Sequence, residues 1–410
     1  MLDLGRGRRA SARGRCRSPS TPGEDRCPGG SDSPPTDPRS RAEDRRFVKK
    51  LLAAVLVLVV VLLAGTAALG YWGWRTLNQP FREFAGPELL IEIQEGMDAR
   101  SILELLEQKG VLANALLARL YLVHRLEDPP LMAGEYRFQQ AATTPQVLDV
   151  LIRGEVVTYP VVVIEGLTLE ETASQIAEQG FGDRARLSEL MSSPASIADL
   201  DPEAIDLEGY LFPDTYAFAR GTVEEDIVAT LVTTFRRRWE EEVRPLLAEE
   251  DQRTVRELVV LASIVEKEAG VDEERPMVAG VYSNRLERGI ALYADPTVIY
   301  ALKQAGVWDG NIRRQDLKID SPYNTYVYPG LPPGPIASPG LASLRAAAQP
   351  ADVPYLFFVS RNDGSHVFAT TLAEHNRNVN KWQKEYWRKK WAEERAKKRA
   401  EDQEGSNTGP

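Results

Sequence analysis

The chain has 410 residues, 43% of them hydrophobic and 27% charged, which is enough apolar material for two or three packed domains and excludes a disordered polymer. Fifty Lys and Arg against sixty Asp and Glu give a net charge of −10, unevenly divided: the first 50 residues carry +6 and the remainder −16. No nucleic-acid partner is expected of so acidic a body.

Residues 1–46 are rich in Arg, Ser and Pro without apolar periodicity, and read as a disordered, basic, cytoplasmic leader. Its basic run suits anionic lipid or nucleic acid, but a solvated tail, or a start codon set too early, is the simpler account. Both cysteines, Cys16 and Cys27, fall in this leader, so the rest of the chain must be stabilised by its own core and not by disulfides.

The stretch Leu51–Gly70 has no charged residue, and at about 1.5 Å per residue it spans the roughly 30 Å of a bilayer interior. Arg45, Arg46, Lys49 and Lys50 crowd its N-terminal side, Arg75 stands alone on the other, and Tyr71, Trp72 and Trp74 suit the headgroup layer. Residues 47–74 are therefore expected to form one transmembrane helix, N-terminus in the cytoplasm, with the body on the far side of the membrane. A cleaved signal peptide has a shorter apolar core and a shorter leader.

After a linker at 75–88 comes an internal repeat. LLIEIQEGMDARSILELLEQKG from Leu89 and YPVVVIEGLTLEETASQIAEQG from Tyr159 share one register: a short strand, Glu-Gly, an amphipathic helix and a closing glycine. Gly96 and Gly166 permit positive φ, Asp98 and Thr168 are candidate caps, and Gly110 and Gly180 suit the C′ position. The first unit continues through AGEYRF and TPQVLDVLIRG to make a module at 89–157. In pattern it resembles a LysM-like domain, a small fold that binds N-acetylated cell-wall sugars; a plain spacer is the alternative.

A larger mixed α+β domain is expected at 158–378, and the fold class of the whole is α+β. Three of its segments carry the chemistry. LEGYLFPDTYAF from Leu207 gathers four aromatics, a proline and two acids, an expensive combination unless it lines something. RTVRELVVLASIVEKEAG from Arg253 is uncharged from Leu258 to Val265, which predicts a helix buried all round. Glu266 follows that run directly; a carboxyl at the mouth of such a helix is desolvated and can hold a proton near neutral pH. The bland alternative is that Glu266 begins the solvated end of the helix. The third segment runs from Asp295 to Gly340. There Asp295 and Pro296 read as a helix cap and first position, and Gly330–Gly340 reads as a rigid loop forming a cleft wall.

Taken in order, EGYLFPDTY, ASIVEKEAG, ERPMVAGVYSNRL, ADPTVIYAL, SPYNTYVYPGLPPGPIASPG, SLRAAAQP, YLFFVS and HNRNV resemble the YceG-like family of endolytic murein transglycosylases. The resemblance covers residues 50–378 and implies a lyase that cuts the MurNAc-β-1,4-GlcNAc bond of nascent peptidoglycan strands without water. The muramyl 6-hydroxyl attacks its own C1 and leaves a 1,6-anhydro end. It assigns catalysis to the first glutamate of IVEKE, here Glu266, one acid sufficing where an ordinary glycosidase needs two. Glu208 is then either a second acid of the cleft or the partner of an arginine such as Arg285. Asn324, Thr325 and Tyr326 are candidates for sugar contacts, unless they only shape the turn after Pro322. Family members commonly carry glutamine where this chain has Tyr293, so a sugar contact is not carried over to that position. The implied partners are glycan strands and, beyond them, penicillin-binding proteins or other elongation and division proteins. A non-catalytic wall-binding scaffold that recruits synthases is the alternative.

No cofactor or metal is expected: the histidines are His124, His366 and His375, without ligand spacing, and no glycine-rich phosphate loop follows a strand. There is no G-x-S-x-G for a serine hydrolase. A pyridoxal lyase using Lys267 has no phosphate site. The tail at 379–410 starts as a helix with Trp382, Tyr386 and Trp387 on one side, expected to pack back on the domain, and then becomes charged.

Overall fold

The structure, a computed structural model, describes residues 38–395. The expected leader up to residue 37, with Cys16 and Cys27, and the end of the tail at 396–410 lie outside the described residues. The chain divides into one unit up to Trp74 and another from Arg75, each described by itself.

Helix α1 (Pro38–Asn78) contains a stretch, Lys49–Asn78, long and apolar enough to cross a bilayer, and this fits a membrane anchor. Leu56, Val60 and Leu63 along it are exposed, as befits a helix whose apolar surface no protein covers.

In the second unit the repeat is longer than its sequence signature. Strand β1 (Leu89–Ile93), α2 (Ala99–Gln108), α3 (Ala115–Arg125), β2 (Gly134–Phe138) and α4 (Thr144–Arg153) are followed in the same order by β3 (Thr158–Val162), α5 (Leu169–Glu178), α6 (Arg184–Met191), β4 (Thr215–Ala219) and α7 (Glu224–Arg238). Each half pairs its two strands antiparallel, with Ile91 opposite Tyr136 in one and Val161 opposite Tyr216 in the other. Both tyrosines donate their hydroxyl to the carbonyl four residues back, Tyr136 to Met132 at 2.8 Å and Tyr216 to Phe212 at 2.6 Å. The glycines after β1 and β3 stand at φ +81° and +74°, where a side chain would be strained. Asp98 caps α2 through the Ser101 amide, and Thr168 with Glu171 forms a capping box on α5.

The two halves differ in what they bury. The first closes on itself around Ile91, Leu103, Leu106, Leu122, Tyr136 and Leu148. The second shares its core, including Val161, Ile176, Tyr210 and Phe235, with the helices that follow. Those are α8 (Val255–Glu268), α9 (Arg275–Glu287), α10 (Asp295–Gln304) and α11 (Leu341–Ala348); β5 (Phe357–Ser360) and β6 (His366–Ala369) then pair as a hairpin before α12 (Leu372–Val379). The expectation for α8 holds: every residue from Leu258 to Val265 is buried. A Thr254–Glu257 capping box fixes its start. The tail helix begins against the hairpin, with Asn362 Nδ2 donating to the Trp382 carbonyl at 2.6 Å and Gln383 Nε2 to that of Ser360 at 3.0 Å.

Gly330–Gly340 is a strap most of whose residues are inaccessible, while Leu331 lines one cavity and Gly334 and Pro335 another. Ser338 exchanges main-chain bonds with Gly166 and Leu167, both 2.8 Å, and the Ile336 amide donates to the buried Ser263 hydroxyl of α8 at 3.1 Å. EGYLFPDTY is mostly core, with Tyr210, Leu211 and Phe212 all buried. Gly209, at φ +84°, sits where a Cβ would come 2.5 Å from Pro335 and 2.9 Å from Val259.

Glu208 is correspondingly interior. Both its oxygens accept from the Leu169 amide at the start of α5, each at 3.1 Å, and one accepts from the Tyr300 hydroxyl at 3.2 Å. Burial pushes its carboxyl up to about 8. It makes no ion pair with Arg285, whose guanidinium is spent on carbonyls of Leu356, Ala291 and Leu292.

Two measurements follow from this packing. Gly209→Ala should destabilise the chain by about 1–3 kcal/mol, read by urea unfolding, because added atoms have nowhere to go. Glu208 keeps its proton in the folded chain up to about pH 8, whereas the unfolded chain releases it near 4.5, so its contribution is full below 4.5 and lost as pH rises through 8. Glu208→Gln should flatten the fall of the thermal midpoint across that window; an unchanged slope would contradict this origin.

Candidate active site

The end of α8 offers two glutamates, and successive residues of a helix turn by about 100°, so Glu266 and Glu268 emerge roughly 200° apart. They meet different surroundings.

Glu266 turns toward the second repeat. Its Oε1 lies 3.1 Å from Arg275 Nη1 and its Oε2 accepts from the Gly340 amide at 3.0 Å, with only 6% of the side chain exposed. Arg275 is buried too and donates to Ser343 Oγ at 2.6 Å and Asp272 Oδ1 at 2.9 Å. Lys267 Nζ donates to the Gly166 carbonyl at 2.9 Å. Glu165, from the Glu-Gly turn after β3, joins this cluster; burial and then the charge of Glu266 raise its carboxyl. A guanidinium and an amide N–H thus engage one oxygen each of the Glu266 carboxylate. In this geometry Glu266 ties α8 to α9 and to the buried strap.

Glu268 turns the other way, into a cavity of about 580 Å³ lined also by Tyr282, Arg285, Tyr293, Asp295, Tyr326, Phe357, His366 and His375. Tyr282 of α9 donates its hydroxyl to Glu268 Oε1 at 3.1 Å. Burial pushes the Glu268 carboxyl up to about 7 and the Asp295 charge adds to the rise, while the Tyr282 bond and Arg285 oppose it. A carboxyl with this value is half protonated near neutral pH, the condition for a group that gives a proton and later takes one. Arg285, only 8% exposed, forms no ion pair among the described residues, and Tyr293 and Phe357 flank its guanidinium at 5.8 and 5.0 Å. His366 places Nδ1 2.7 Å from Glu274 Oε2. His375 stacks on Phe357 at 5.2 Å, and burial lowers its imidazole value.

The YNTY candidates separate. Asn324 is fully buried, with Nδ2 on the carbonyls of Leu317 and Ile319 and Oδ1 accepting from the Tyr326 amide at 3.0 Å. Thr325 is also buried, its Oγ1 accepting from the Ala294 amide at 3.0 Å and 2.9 Å from Thr297 Oγ1. Neither has a polar group left for a sugar; both shape the loop that presents Tyr326. Tyr326 does reach the cavity and donates its hydroxyl to Asp295 Oδ1 at 2.6 Å. Asp295 is the first residue of α10 and not its cap, a position held by Ala294. Glu208 lies outside this cavity. Glu268, the second glutamate of IVEKE, and Tyr282 carry no signal in the sequence beyond the motifs around them; Arg285 and His366 are visible there, but not as neighbours of one cavity.

The family model described as YceG-like family matches residues 91–381. A Bacillus subtilis protein named endolytic murein transglycosylase is 29% identical over 75% of this chain and 88% of its own length. A Streptococcus pneumoniae protein of the same name is 28% identical over 81% of this chain, which spans 65% of that longer relative. A crystal structure of a yceG-like protein from Listeria monocytogenes, 33% identical, aligns over 72% of this chain and 99% of its own with a TM-score of 0.47. With that cavity at the end of α8, and with most of its length matched, the chain belongs to the YceG-like family.

Proposed function

We propose that this chain is an endolytic murein lytic transglycosylase in which Glu268 is the general acid and base. The observation that carries the assignment of the residue is the Glu268 carboxyl, raised to about 7, at the wall of a 580 Å³ cavity. The relatives' shared name supports the reaction, and the scaffold alternative is not favoured.

In this reading Glu268 gives its proton to the oxygen between MurNAc C1 and GlcNAc C4 as that C1–O bond breaks. The muramyl 6-hydroxyl closes on C1, and the Glu268 carboxylate takes the 6-hydroxyl proton. One C–O bond is lost, one is formed, and no water enters. Positive charge builds at C1 in between; Asp295, in the same cavity, is the group of the right sign to oppose it, and its charge also helps keep the proton on Glu268 beforehand. Tyr282 holds the carboxyl in place. In the same reading α1 is the anchor, supported by the length and apolarity of Lys49–Asn78, and the 158–378 domain works outside the inner membrane on nascent strands, beside synthases such as penicillin-binding proteins. The 89–157 module, LysM-like in its sequence pattern, adds grip on the same polymer.

Full-length protein in detergent, given uncrosslinked glycan, should release 1,6-anhydro ends. Glu268→Gln should lower that rate by about 10²–10⁴. Glu266→Gln should cost about 2 kcal/mol of stability through its arginine yet still form anhydro ends. The reverse pattern, with both variants folded, would return the role to Glu266. Because Glu268 must start protonated, kcat/KM should fall as pH rises through about 7; a rate flat from pH 6 to 9 would contradict the assignment.

A further inference from the structure

Tyr293 is one of four non-glycine residues at positive φ among the described residues, at +51°. The other three are two acids and an asparagine; a bulky aromatic is ill suited to this conformation, and it persists only where the surroundings impose it. The imposing group is the buried Thr325: its carbonyl accepts from the Tyr293 amide at 3.4 Å and its hydroxyl from the Ala294 amide at 3.0 Å. The twist does nothing for the core. Leu292 and Ala294 on either side are buried, at 1% and 0% exposure, whereas Tyr293 is 51% exposed.

What the twist does is turn the ring to the Glu268 cavity. Tyr326 lies 5.2 Å from it at a tilt of 53°, itself anchored through Asp295, and the Arg285 guanidinium stands 5.8 Å from its centroid. The ring is thus supported by fixed neighbours while half its surface stays open to solvent. A strained backbone that exposes a stiffly held aromatic at the wall of a cavity is the inverse of a packing residue.

Resting on the reading of this cavity as a glycan site, we propose that Tyr293 is a stacking platform for the C–H face of a pyranose ring, holding a sugar beside the bond that Glu268 protonates. β-1,4-linked N-acetylated sugars carry axial C–H groups on both ring faces, and these fit an open aromatic face. The open face at Tyr293 bears on which sugar or chain length the cavity prefers.

The test uses full-length Glu268→Gln protein in detergent, titrated with uncrosslinked glycan strands, so that binding is read without turnover. Adding Tyr293→Gly should weaken binding about tenfold, the scale of one aromatic contact, while the thermal midpoint stays level or rises because glycine relieves the backbone. Tyr293→Trp should keep the affinity and Tyr293→Gln should not. Affinities of the glycine and glutamine variants within twofold of the parent would overturn the platform. If the glycine variant melts lower, the tryptophan and glutamine pair decides: equal affinities overturn the proposal, and a stronger tryptophan variant upholds it. Failure of the wild type to form anhydro ends would count against the reaction and not against Tyr293, since binding is measured separately.

Discussion

The burial of α8 on every side is the constraint from which the rest follows. A helix with Leu258 to Val265 all inaccessible has to be wrapped by other elements, and here these are the second repeat, α9, α11 and the strap that ends at Gly340. Its charged end cannot be buried the same way without partners. Two glutamates on opposite faces receive opposite treatment: one is bonded into the wrapping by Arg275 and the Gly340 amide, the other is left at a cavity with a tyrosine hydroxyl. A clasped carboxyl and a cavity-facing one thus come from one turn of one helix.

The repeat shows how a single motif takes two fates. Both halves keep the β-α-α-β-α order and the tyrosine that bonds four residues back. The first half has enough apolar side chains to close its own core. The second gives its inner face to α8, and its Glu-Gly turn places Glu165 and Gly166 against Glu266 and Lys267. The turn that in the first half reverses the chain becomes, in the second, part of the clasp on α8.

The cavity sets opposing influences on one proton. Burial and Asp295 favour keeping it on Glu268, and Arg285 and Tyr282 favour releasing it. A value near 7 is the balance, and it is poised for both halves of a proton relay. The aromatic rings around Arg285 let a buried guanidinium stand without a carboxylate partner.

Much of this was legible in the sequence because it depends on neighbours along the chain. The apolar run of α1, the uncharged run of α8, the helix caps at Asp98 and Thr168 and the positive-φ glycines follow from periodicity and backbone sterics, which act within a few residues. The YceG-like resemblance is legible for a related reason, being carried by ordered local motifs. What the sequence by itself could not decide is which of two glutamates, two residues apart, faces a cavity, since both follow the same apolar run and differ only in what packs against them. The same holds for Glu208, Asn324 and Thr325, whose polar groups suit a sugar but are consumed by amides and carbonyls brought close by distant segments. Tyr293 is the converse case: a substitution that reads as a lost contact becomes an exposed ring, because a threonine 32 residues further on twists the backbone beneath it. Local steric rules fix elements; the partners of a charge or a hydroxyl exist only once the chain has folded.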